Sequence, residues 1–558
     1  EDGQASKNWD RPWERANGKA YNRPKWFPPL DEKLELKLTY DSMYNYLRVD
    51  SVRGWRFAWD IPWGVYTTED DPASQLVTAR AVLQDLQSPE TFAVARQWLT
   101  ECLENHADCP AHTVVSLPTR LVRVSKLGEP ESARLCHTPG QTGHYCALSY
   151  CWGADQPFST TEKSYEAYLE ALPYNDLPRT IRDALHVTRS LGMQYIWIDS
   201  LCIIQKHPED VPRELAKMLS IYVNAQFTIS AAGATTCNEG FLARPDRHED
   251  SHNGPFFLAL RADEDTMGSP LNERAWTLQE ALLTPRLLIF TALNMVWRCQ
   301  TKYEPDFCES LATYTWRHEE RRPMTPTDAV WQRFRSMVKV YSKRKLTEQS
   351  DKLPAISALA EIFSSHIQSD YLAGLRRRYL IHDLMWWVPH DAEEDPQESE
   401  PETEISKVPS WSWPSINRSI TFNGWDSTCV MADIVDCSVT LVSDRAPFGG
   451  VNSGKLIIRG YLKDISLSKK RGFIGDDGIT MRGDATLDGR KRERGQKDQF
   501  WCFALGKLEG SLLLQQAIIV IKSEAIPGCY RRVGYFSVDS TVSPGWWEQG
   551  EKVTITIV

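Results

Sequence analysis

The sequence predicts an α/β core, in which helices flank a parallel β-sheet, together with additional helical segments and a β-rich C-terminal domain. Two patterns lead to this prediction. Between residues 145 and 232, three short apolar runs alternate with two amphipathic stretches, and strands alternating with helices at this spacing are typical of a parallel sheet. After residue 456, five short apolar runs follow one another without a helical stretch, which indicates antiparallel strands.

The core is assigned to residues 140–300. Its strands are short apolar runs bounded by polar turns, and its helices carry apolar residues three and four positions apart. In chain order we expect a strand at 145–150, a helix from 177 that ends at Gly192, a strand at 195–199, a helix from about 211 to 224, a strand at 227–232, a helix at 276–283, and a strand that starts at 287 and ends at 290 or 297. Because parallel sheets bind ligands at the carboxyl ends of their strands, the residues after the first three strands are the candidate site.

The segments before the core differ from it in composition. Residues 1–30 are polar, with Pro, Gly and isolated Trp, and are predicted to form a flexible arm. Residues 31–139 are predicted to be an N-terminal extension with a helix between 75 and 110 and a strand at 117–124.

The segments after the core change from helical to β patterns. Residues 301–390 are predicted to be a helical region, and 391–404 an acidic linker or loop almost free of apolar side chains. Residues 405–558 are predicted to form the β-rich domain. The three arginines at 376–378 are interpreted as the solvated face of a helix.

Charge, cysteine content and hydropathy exclude several classes of function. The formal net charge of the 558 residues is −10, and no segment is dense in Lys and Arg, so nucleic acid is not expected as a partner. The 13 cysteines are an odd number without a repeated spacing, which favours reduced thiols and a cytoplasmic location. No apolar stretch approaches the roughly 20 residues that span a bilayer, so no membrane span is expected.

A series of motifs in the core resembles a known family. The blocks are, in order, YCALSYCWG at 145–153, LPRTIRDA at 177–184, YIWIDSLCIIQ at 195–205, IYVNA at 221–225, GFLAR at 240–244 and RAWTLQE at 274–280. Similar blocks continue with DKLPAI at 351–356, YLAGL at 371–375 and PSWSW at 409–413. With these motifs the chain resembles the fungal heterokaryon incompatibility (HET) domain proteins, and the resemblance extends over most of the chain.

The resemblance implies a role in fungal non-self recognition, in which the domain triggers growth arrest and programmed cell death. The family is distantly similar to the Toll/interleukin-receptor (TIR) domains, which implies a TIR- or flavodoxin-like sheet. Enzymatic TIR domains cleave NAD with a glutamate on a helix, and the matching helix here carries Glu214. Val211 stands where HET domains commonly have Trp, so the chain lacks one aromatic side chain of the family's pattern at this point.

Glu214 is therefore the predicted catalytic residue of an NAD glycohydrolase. Nicotinamide leaves the ribose as a neutral molecule, so the reaction needs little acid catalysis, but a carboxylate near the ribose stabilises the oxocarbenium-like transition state. The alternative is a first-turn glutamate that is favoured by the helix dipole. No cofactor is expected, because NAD would be the substrate.

Residues at the predicted strand ends are candidates for substrate binding. Ser149, Tyr150 and Trp152 would line the crevice, with Trp152 stacked on a flat ring or else packed in the core. Asp199 would orient the ribose or else cap a turn. Cys202 is considered as a nucleophile, but a buried inert thiol is the favoured interpretation.

Two arginines are candidates for contacts to the pyrophosphate of NAD. Arg244 and Arg274 would each hold it with two parallel hydrogen bonds, or else each would pair with a carboxylate such as Glu280. For Arg274 the structural role is favoured.

A group of metal-binding residue types precedes the core. Cys102, His106, Cys109 and His112 are all ligand types that suit zinc. Cys102, however, lies inside the predicted amphipathic helix, and the spacing matches no standard zinc motif. No metal is therefore predicted.

Three functions are open from the sequence. The first is a HET-domain effector that assembles and then cleaves NAD to nicotinamide and ADP-ribose. The second is a non-catalytic signalling module that self-associates or binds a protein partner. The third is an enzyme of a fungal metabolite pathway that holds a small organic substrate in the same crevice.

Overall fold

The computed structural model describes much of the chain, in ranges separated by gaps. These ranges are 36–41, 46–51, 63–66, 85–111, 113–153, 156, 158–243, 257–260, 269–292, 295–301, 325–389, 407–422, 428–467, 473–475, 480–481, 483–488, 499–508, 514–539, 547 and 550–558. The predicted arm at 1–30 and the acidic linker at 391–404 lie outside them. The chain divides into two compact units, Glu1–Val82 with Glu249–Arg261, and Leu83–His248 with Ala262–Val558.

The first unit contains a small antiparallel sheet. Its strands lie in the order β1 (Leu36–Asp41), β2 (Tyr46–Ser51), β3 (Trp63–Tyr66) and β11 (Phe257–Leu260), with all labels counted in chain order. The sequence analysis predicted none of these strands. The last one comes from a segment about 190 residues after the third, and such long-range pairing leaves no local signal.

The second unit contains all the helices that the structure describes. They are α1 (Pro89–Asn105), α2 (Tyr165–Glu170), α3 (Arg179–Ser190), α4 (Asp199–Cys202), α5 (Asp210–Leu215), α6 (Met218–Asn224), α7 (Trp276–Leu283), α8 (Pro326–Tyr341), α9 (Ser357–Ile367) and α10 (Leu380–Asp383). Short 3₁₀ turns occur at Tyr174–Asp176, Pro270–Glu273, Gln349–Asp351, Pro354–Ile356, Arg377–Tyr379 and Trp413–Ser415. None of the helices within the described ranges has the length and apolar character that a membrane crossing requires.

Local sequence explains where the main helices begin and end. The Ser88 side chain accepts a hydrogen bond from the Thr91 amide at 3.2 Å and caps α1, with Pro89 in its first turn. The apolar face predicted for α3 is fully buried, and the helix is followed by Gly192, whose φ of +76° suits glycine. The helix predicted from 211 to 224 is instead split into α5 and α6, because the Lys217 amide bonds to the carbonyl three residues back and tightens the turn.

A mixed seven-stranded sheet positions the candidate site. Its strands lie in the order β13-β12-β10-β8-β9-β5-β6. They are β5 (Arg120–Val124), β6 (Ala133–His137), β8 (Cys146–Ser149), β9 (Tyr195–Trp197), β10 (Thr228–Ser230), β12 (Arg286–Phe290) and β13 (Met295–Cys299). The short pair β4 (Val115–Ser116) and β7 (Thr142–Gly143) stands apart from this sheet.

The parallel part of the sheet is its centre. Strands β12, β10, β8 and β9 run parallel, whereas β13, β5 and β6 pair antiparallel at the edges. The predicted parallel sheet is thus confirmed for four strands, and the sheet as a whole is mixed. The strand predicted to end at 290 or 297 is a hairpin of β12 and β13. Strands β5 and β6 precede residue 140, so the sheet extends beyond the segment predicted for the core.

The helical region after the sheet is packed around tryptophans. Helices α8 and α9 are accompanied by the short strands β14 (Tyr371–Leu372), β15 (Leu375–Arg376), β16 (Trp386–Trp387) and β17 (Thr421–Phe422). The indoles of Trp331, Trp386, Trp411 and Trp413 are completely buried, so these large side chains form the packed interior of the region.

The interpretation of the arginines at 376–378 as solvated surface is wrong for Arg376. Its side chain is completely buried, and its guanidinium lies 4.7 Å from the ring centre of Phe334 and 4.9 Å from that of Tyr371. It also donates to the Ala360 carbonyl at 2.8 Å. Aromatic rings and carbonyls from distant segments stabilise this buried cation, and no local charge pattern reports them.

The C-terminal part is a β domain, as predicted. Its strands are β18 (Thr428–Val430), β19 (Asp433–Leu441), β20 (Val451–Leu467), β21 (Phe473–Gly475), β22 (Thr480–Met481), β23 (Gly483–Leu487), β24 (Phe500–Leu508), β25 (Leu514–Lys522), β26 (Tyr530–Asp539) and β27 (Lys552–Ile557). Strands β20, β24, β25, β26 and β27 pair in a closed ring, antiparallel except for one residue pair between β26 and β27. Arg532 joins the domain to the helical region by donating to the carbonyls of Leu384 and Trp386 at 2.6 and 2.5 Å.

Candidate functional site

Polar side chains from three segments meet at the carboxyl ends of β8 and β9. Ser149 ends β8, and Asp199 begins the short helix α4 directly after β9. Because these strands are parallel neighbours, with Ala147 opposite Trp197, their ends lie side by side. Arg274, which follows the turn Pro270–Glu273, and Glu280, which is part of α7, reach the same place.

Asp199 is held by donors on both strand ends. Its Oδ1 accepts the Ser200 amide at 2.6 Å, and its Oδ2 accepts the Trp152 indole N–H at 2.9 Å. Burial raises the pKa of Asp199 above its ordinary value, and the positive charge of Arg274 opposes the rise. The Trp152 indole therefore positions this carboxyl by donating its N–H.

Glu280 is the second buried carboxyl of the cluster. The residue is 6% exposed and accepts the hydroxyl hydrogen of Ser149. Burial raises the pKa of Glu280 to about 7; the hydrogen bond from Ser149 lowers it, the charge of Asp199 raises it, and the charge of Arg274 lowers it. The charge of Arg274 thus opposes the rise in the pKa of both carboxyls.

Tyr150 and Arg274 complete the cluster. The Tyr150 hydroxyl donates to Ser200 Oγ at 2.9 Å and accepts from Gln156 Nε2 at 2.8 Å. Arg274 Nη1 donates to the Tyr150 carbonyl at 3.4 Å. We refer to Ser149, Tyr150, Trp152, Asp199, Arg274 and Glu280 as the strand-end cluster.

Glu214 lies in a different network, at the start of β5. It is 1% exposed, and its Oε1 accepts hydrogen bonds from Thr119 at 2.9 Å, Lys217 at 3.0 Å and Arg213 at 3.2 Å. Its Oε2 is buried, and no described residue forms a hydrogen bond with it. One oxygen is thus saturated by internal donors, while the other has a free acceptor position as far as the described ranges show.

The same network contains a buried ion pair. Asp210 accepts from Arg120 at 2.5 Å and from the Ile204 amide at 2.8 Å, and it also binds Arg213. Arg120 and Asp210 are 3% and 2% exposed. Glu214 and Asp210 are therefore both tied to cations, and removing one member leaves an unpaired buried charge.

Comparison with known protein families identifies the segment that carries the strand-end cluster. The family model described as Heterokaryon incompatibility protein (HET) matches residues 145–280. Residues 145–280 are a HET domain. No curated protein and no solved structure matches the chain. The HET domain starts just before β8 and ends at Glu280, so the whole strand-end cluster lies within it.

Within the HET domain, the structure brings most of the predicted binding residues together. Ser149, Tyr150, Trp152, Asp199 and Arg274 all belong to the strand-end cluster. Arg244 lies outside the described residues, so its predicted role stays a prediction.

Cys202 is the last residue of α4. It is completely buried, and its Sγ accepts the Ile198 amide hydrogen at 3.5 Å. Burial raises the pKa of Cys202 to about 12, so the thiol is not ionised near neutral pH and is a poor nucleophile. The nearby His207 does not serve it as a base, because its Nδ1 accepts hydrogen bonds from the amides of Glu209 and Asp210.

Glu280 is the residue that sequence reasoning undervalued. The sequence analysis names it only as a possible partner for Arg244 or Arg274. The available signal was its position in the RAWTLQE motif at 274–280, on the apolar side of a predicted helix. A carboxylate on a buried helix face requires a partner, and this points to a polar site.

Proposed function

We propose that the chain is a HET-domain effector of non-self recognition and cell death that acts in the cytoplasm by cleaving NAD. The match to the heterokaryon incompatibility family supports the cellular role. The enzymatic role is our extension of the TIR resemblance. The single observation that carries it is the convergence of Asp199, Arg274 and Glu280 at the carboxyl ends of the parallel strands.

The strand order supports a TIR- or flavodoxin-like interpretation. Numbered along the chain, the four parallel strands β8, β9, β10 and β12 lie in the order 2-1-3-4. Flavodoxin-like sheets have this order. They bind ligands next to the first strand, at the point where the connections that follow neighbouring strands run in opposite directions. Strand β8 is the first strand here, and Ser149, at its end, contacts Glu280.

The residues suit hydrolysis of an N-glycosidic bond. The bond between ribose C1′ and the nicotinamide nitrogen breaks, and a water oxygen bonds to C1′. The products are nicotinamide, ADP-ribose and one proton. Asp199 or Glu280 as carboxylate would stabilise the positive charge that develops on the ribose, and the Arg274 guanidinium suits the pyrophosphate.

In the described conformation, internal donors occupy this cluster. Ser149 binds Glu280, and Trp152 and Ser200 bind Asp199. A substrate has to displace these partners, so we propose that the isolated chain is latent. Self-association would then open the strand ends and start the reaction.

The test is nicotinamide release from NAD by the purified full chain, measured by chromatography over a range of protein concentrations. We expect a specific activity that rises with concentration, and a loss of roughly 100-fold or more in Asp199→Asn. Glu280→Gln and Glu214→Gln are compared with it, and Glu129→Gln, which alters a carboxylate in an exposed contact, serves as the control.

The outcomes separate the possible sites. If the wild type releases no nicotinamide at any concentration, yet still arrests growth when expressed in a fungal host, the hydrolase proposal is refuted. If Glu214→Gln is inactive while Asp199→Asn is unaffected, the reaction belongs to the network at β5 rather than to the strand-end cluster.

A non-catalytic signalling module is the second candidate, and the environment of Glu214 favours it. A buried carboxylate that is bound to Thr119, Arg213 and Lys217 is suited to stabilising the fold. In that case growth arrest should survive both Glu214→Gln and Asp199→Asn, provided that circular dichroism shows both variants to be folded.

A further inference from the structure

Four side chains with metal-binding atoms meet at the edge of the seven-stranded sheet. They are Cys102, His106, Cys109 and Cys299, and their ligand atoms all lie within 4.8 Å of one another. Cys102 is in the last turn of α1, His106 is its C-cap, and Cys109 follows in the next turn. Cys299 is the last residue of the edge strand β13.

The distances among these atoms fit one tetrahedral ion. The His106 Nδ1 lies 3.3 Å from Cys299 Sγ and 4.0 Å from Cys109 Sγ. A sulfur at about 2.3 Å and a nitrogen at about 2.1 Å from one tetrahedral zinc ion are about 3.6 Å apart. The two observed distances lie on either side of this value.

The surroundings of the four residues resemble those of a closed structural site. The side chains of Cys102, Cys109 and Cys299 are 0%, 7% and 5% exposed, and that of His106 is 8% exposed. The other ring nitrogen of the histidine, Nε2, lies 3.9 Å from a carboxylate oxygen of Glu101. Histidine ligands commonly direct their second nitrogen at a carboxylate, which orients the ring.

A buried arginine supplies the charge that such a site requires. Arg286 is 2% exposed, and its Nε donates to Cys102 Sγ at 3.1 Å. Its other donors bind the carbonyls of Gln226 and Pro110, and among the described residues it makes no ion pair with a carboxylate. Three thiolates around a divalent ion carry one net negative charge, which this guanidinium would neutralise.

We propose that Cys102, His106, Cys109 and Cys299 bind one zinc ion as a structural site. Four protein ligands of this type close the tetrahedron, so no position is left for substrate. The ion fastens the end of α1 to the edge strand β13. Its ligands come from both sides of the 145–280 segment, so it ties together the two chain segments that enter and leave the HET domain. The proposal does not depend on NAD cleavage.

The proposal corrects one element of the sequence motif. The sequence suggested His112 as the fourth metal-binding residue, and no metal was predicted because the spacing fitted no known motif. The fourth ligand is instead Cys299, almost 200 residues after the other three. His112 lies outside the described residues, so a variant of His112 tests whether Cys299 rather than His112 is the fourth ligand.

The experiment measures bound metal by inductively coupled plasma mass spectrometry on the full chain, purified under reducing conditions without chelators. We expect about one zinc ion per chain in the wild type, and loss of the metal in Cys299→Ser. His112→Ala should retain the ion. Cys437→Ser, which changes an equally buried cysteine (1% exposed) in the β domain, should also retain it.

A measurement on the unaltered chain covers variants that fail to fold. Chelated wild-type protein is titrated with Co²⁺, and tetrahedral cysteine ligation is expected to produce intense visible absorption at one equivalent. The proposal is overturned if the reduced wild type neither contains zinc nor binds added Zn²⁺ or Co²⁺. It is also overturned if His112→Ala loses the metal while Cys299→Ser keeps it, or if two of the cluster cysteines form a disulfide in protein purified without oxidant.

Discussion

Replacing Glu280 with Gln should remove a pH-dependent destabilisation of the folded chain. Burial raises the pKa of Glu280 from 4.5 to about 7. Between these values the folded state holds a proton that the unfolded state has lost, so the free energy of unfolding falls as pH rises. The destabilisation is absent below a pH of 4.5 and complete above a pH of about 7. A difference of about 2.5 between the two pKa values corresponds to roughly 3 kcal/mol.

The substitution isolates this effect because the other buried carboxyls stay in place. Glutamine keeps an acceptor oxygen for the Ser149 hydroxyl and carries no charge. Urea unfolding is followed by Trp fluorescence at several pH values between 5 and 8 for both proteins. The variant should gain about 2 to 3 kcal/mol relative to the wild type across this range, whereas Glu129→Gln should show no such trend. Parallel pH curves for wild type and Glu280→Gln would refute the reasoning.

Three further predictions concern burial and backbone strain. Arg532→Met should lower the free energy of unfolding by about 3 to 5 kcal/mol, because it leaves the buried Asp488 carboxylate without its partner at 2.9 Å. Adding Asp488→Leu to this variant should recover part of the loss. A loss below about 1 kcal/mol in Arg532→Met would contradict the pairing. Gly374→Ala should lower the Tm more than Gly128→Ala does. Both positions have positive φ, of +98° and +89°, but only at Gly374 would the new Cβ meet an indole nitrogen at 2.7 Å; equal shifts in Tm would contradict this. Cys202 should resist alkylation by iodoacetamide in the native chain at pH 8, because it is buried and burial raises its pKa to about 12. Peptide mass spectrometry measures the labelled fraction. If Cys202 is labelled as fast in the native chain as in the chain unfolded by urea, the prediction is wrong.

The central elements of the HET domain were predictable because their signals are local. A buried parallel strand is a short apolar run, and α3 shows its buried face at helical spacing. These patterns depend on neighbours within about two turns, so one sequence suffices to recognise them. Strands β5 and β6 also had local signals in part, but nothing local shows that they extend the same sheet as β9.

The candidate site was predictable only as far as the strand-end rule reaches. The rule placed Ser149 and Asp199 at the same edge of the sheet, because the first ends and the second follows one of two adjacent parallel strands. Glu280 approaches the same point from a helix about 80 residues after Asp199. Its pKa depends on burial and on charges from three segments, so no sequence window contains the information.

The sequence by itself determined the central parallel strands of the core, the positions of most of its helices, the HET motifs and the candidate residue types, since these follow from short-range spacing and from family blocks. The tertiary structure alone decided which charges are buried and what each of them meets. It placed Glu214 among Thr119, Arg213 and Lys217, and it brought Cys299 to the cysteines and histidine of α1. The physical reason is that burial and electrostatic environment are set by groups far apart in the chain, whose meeting depends on packing of the whole unit.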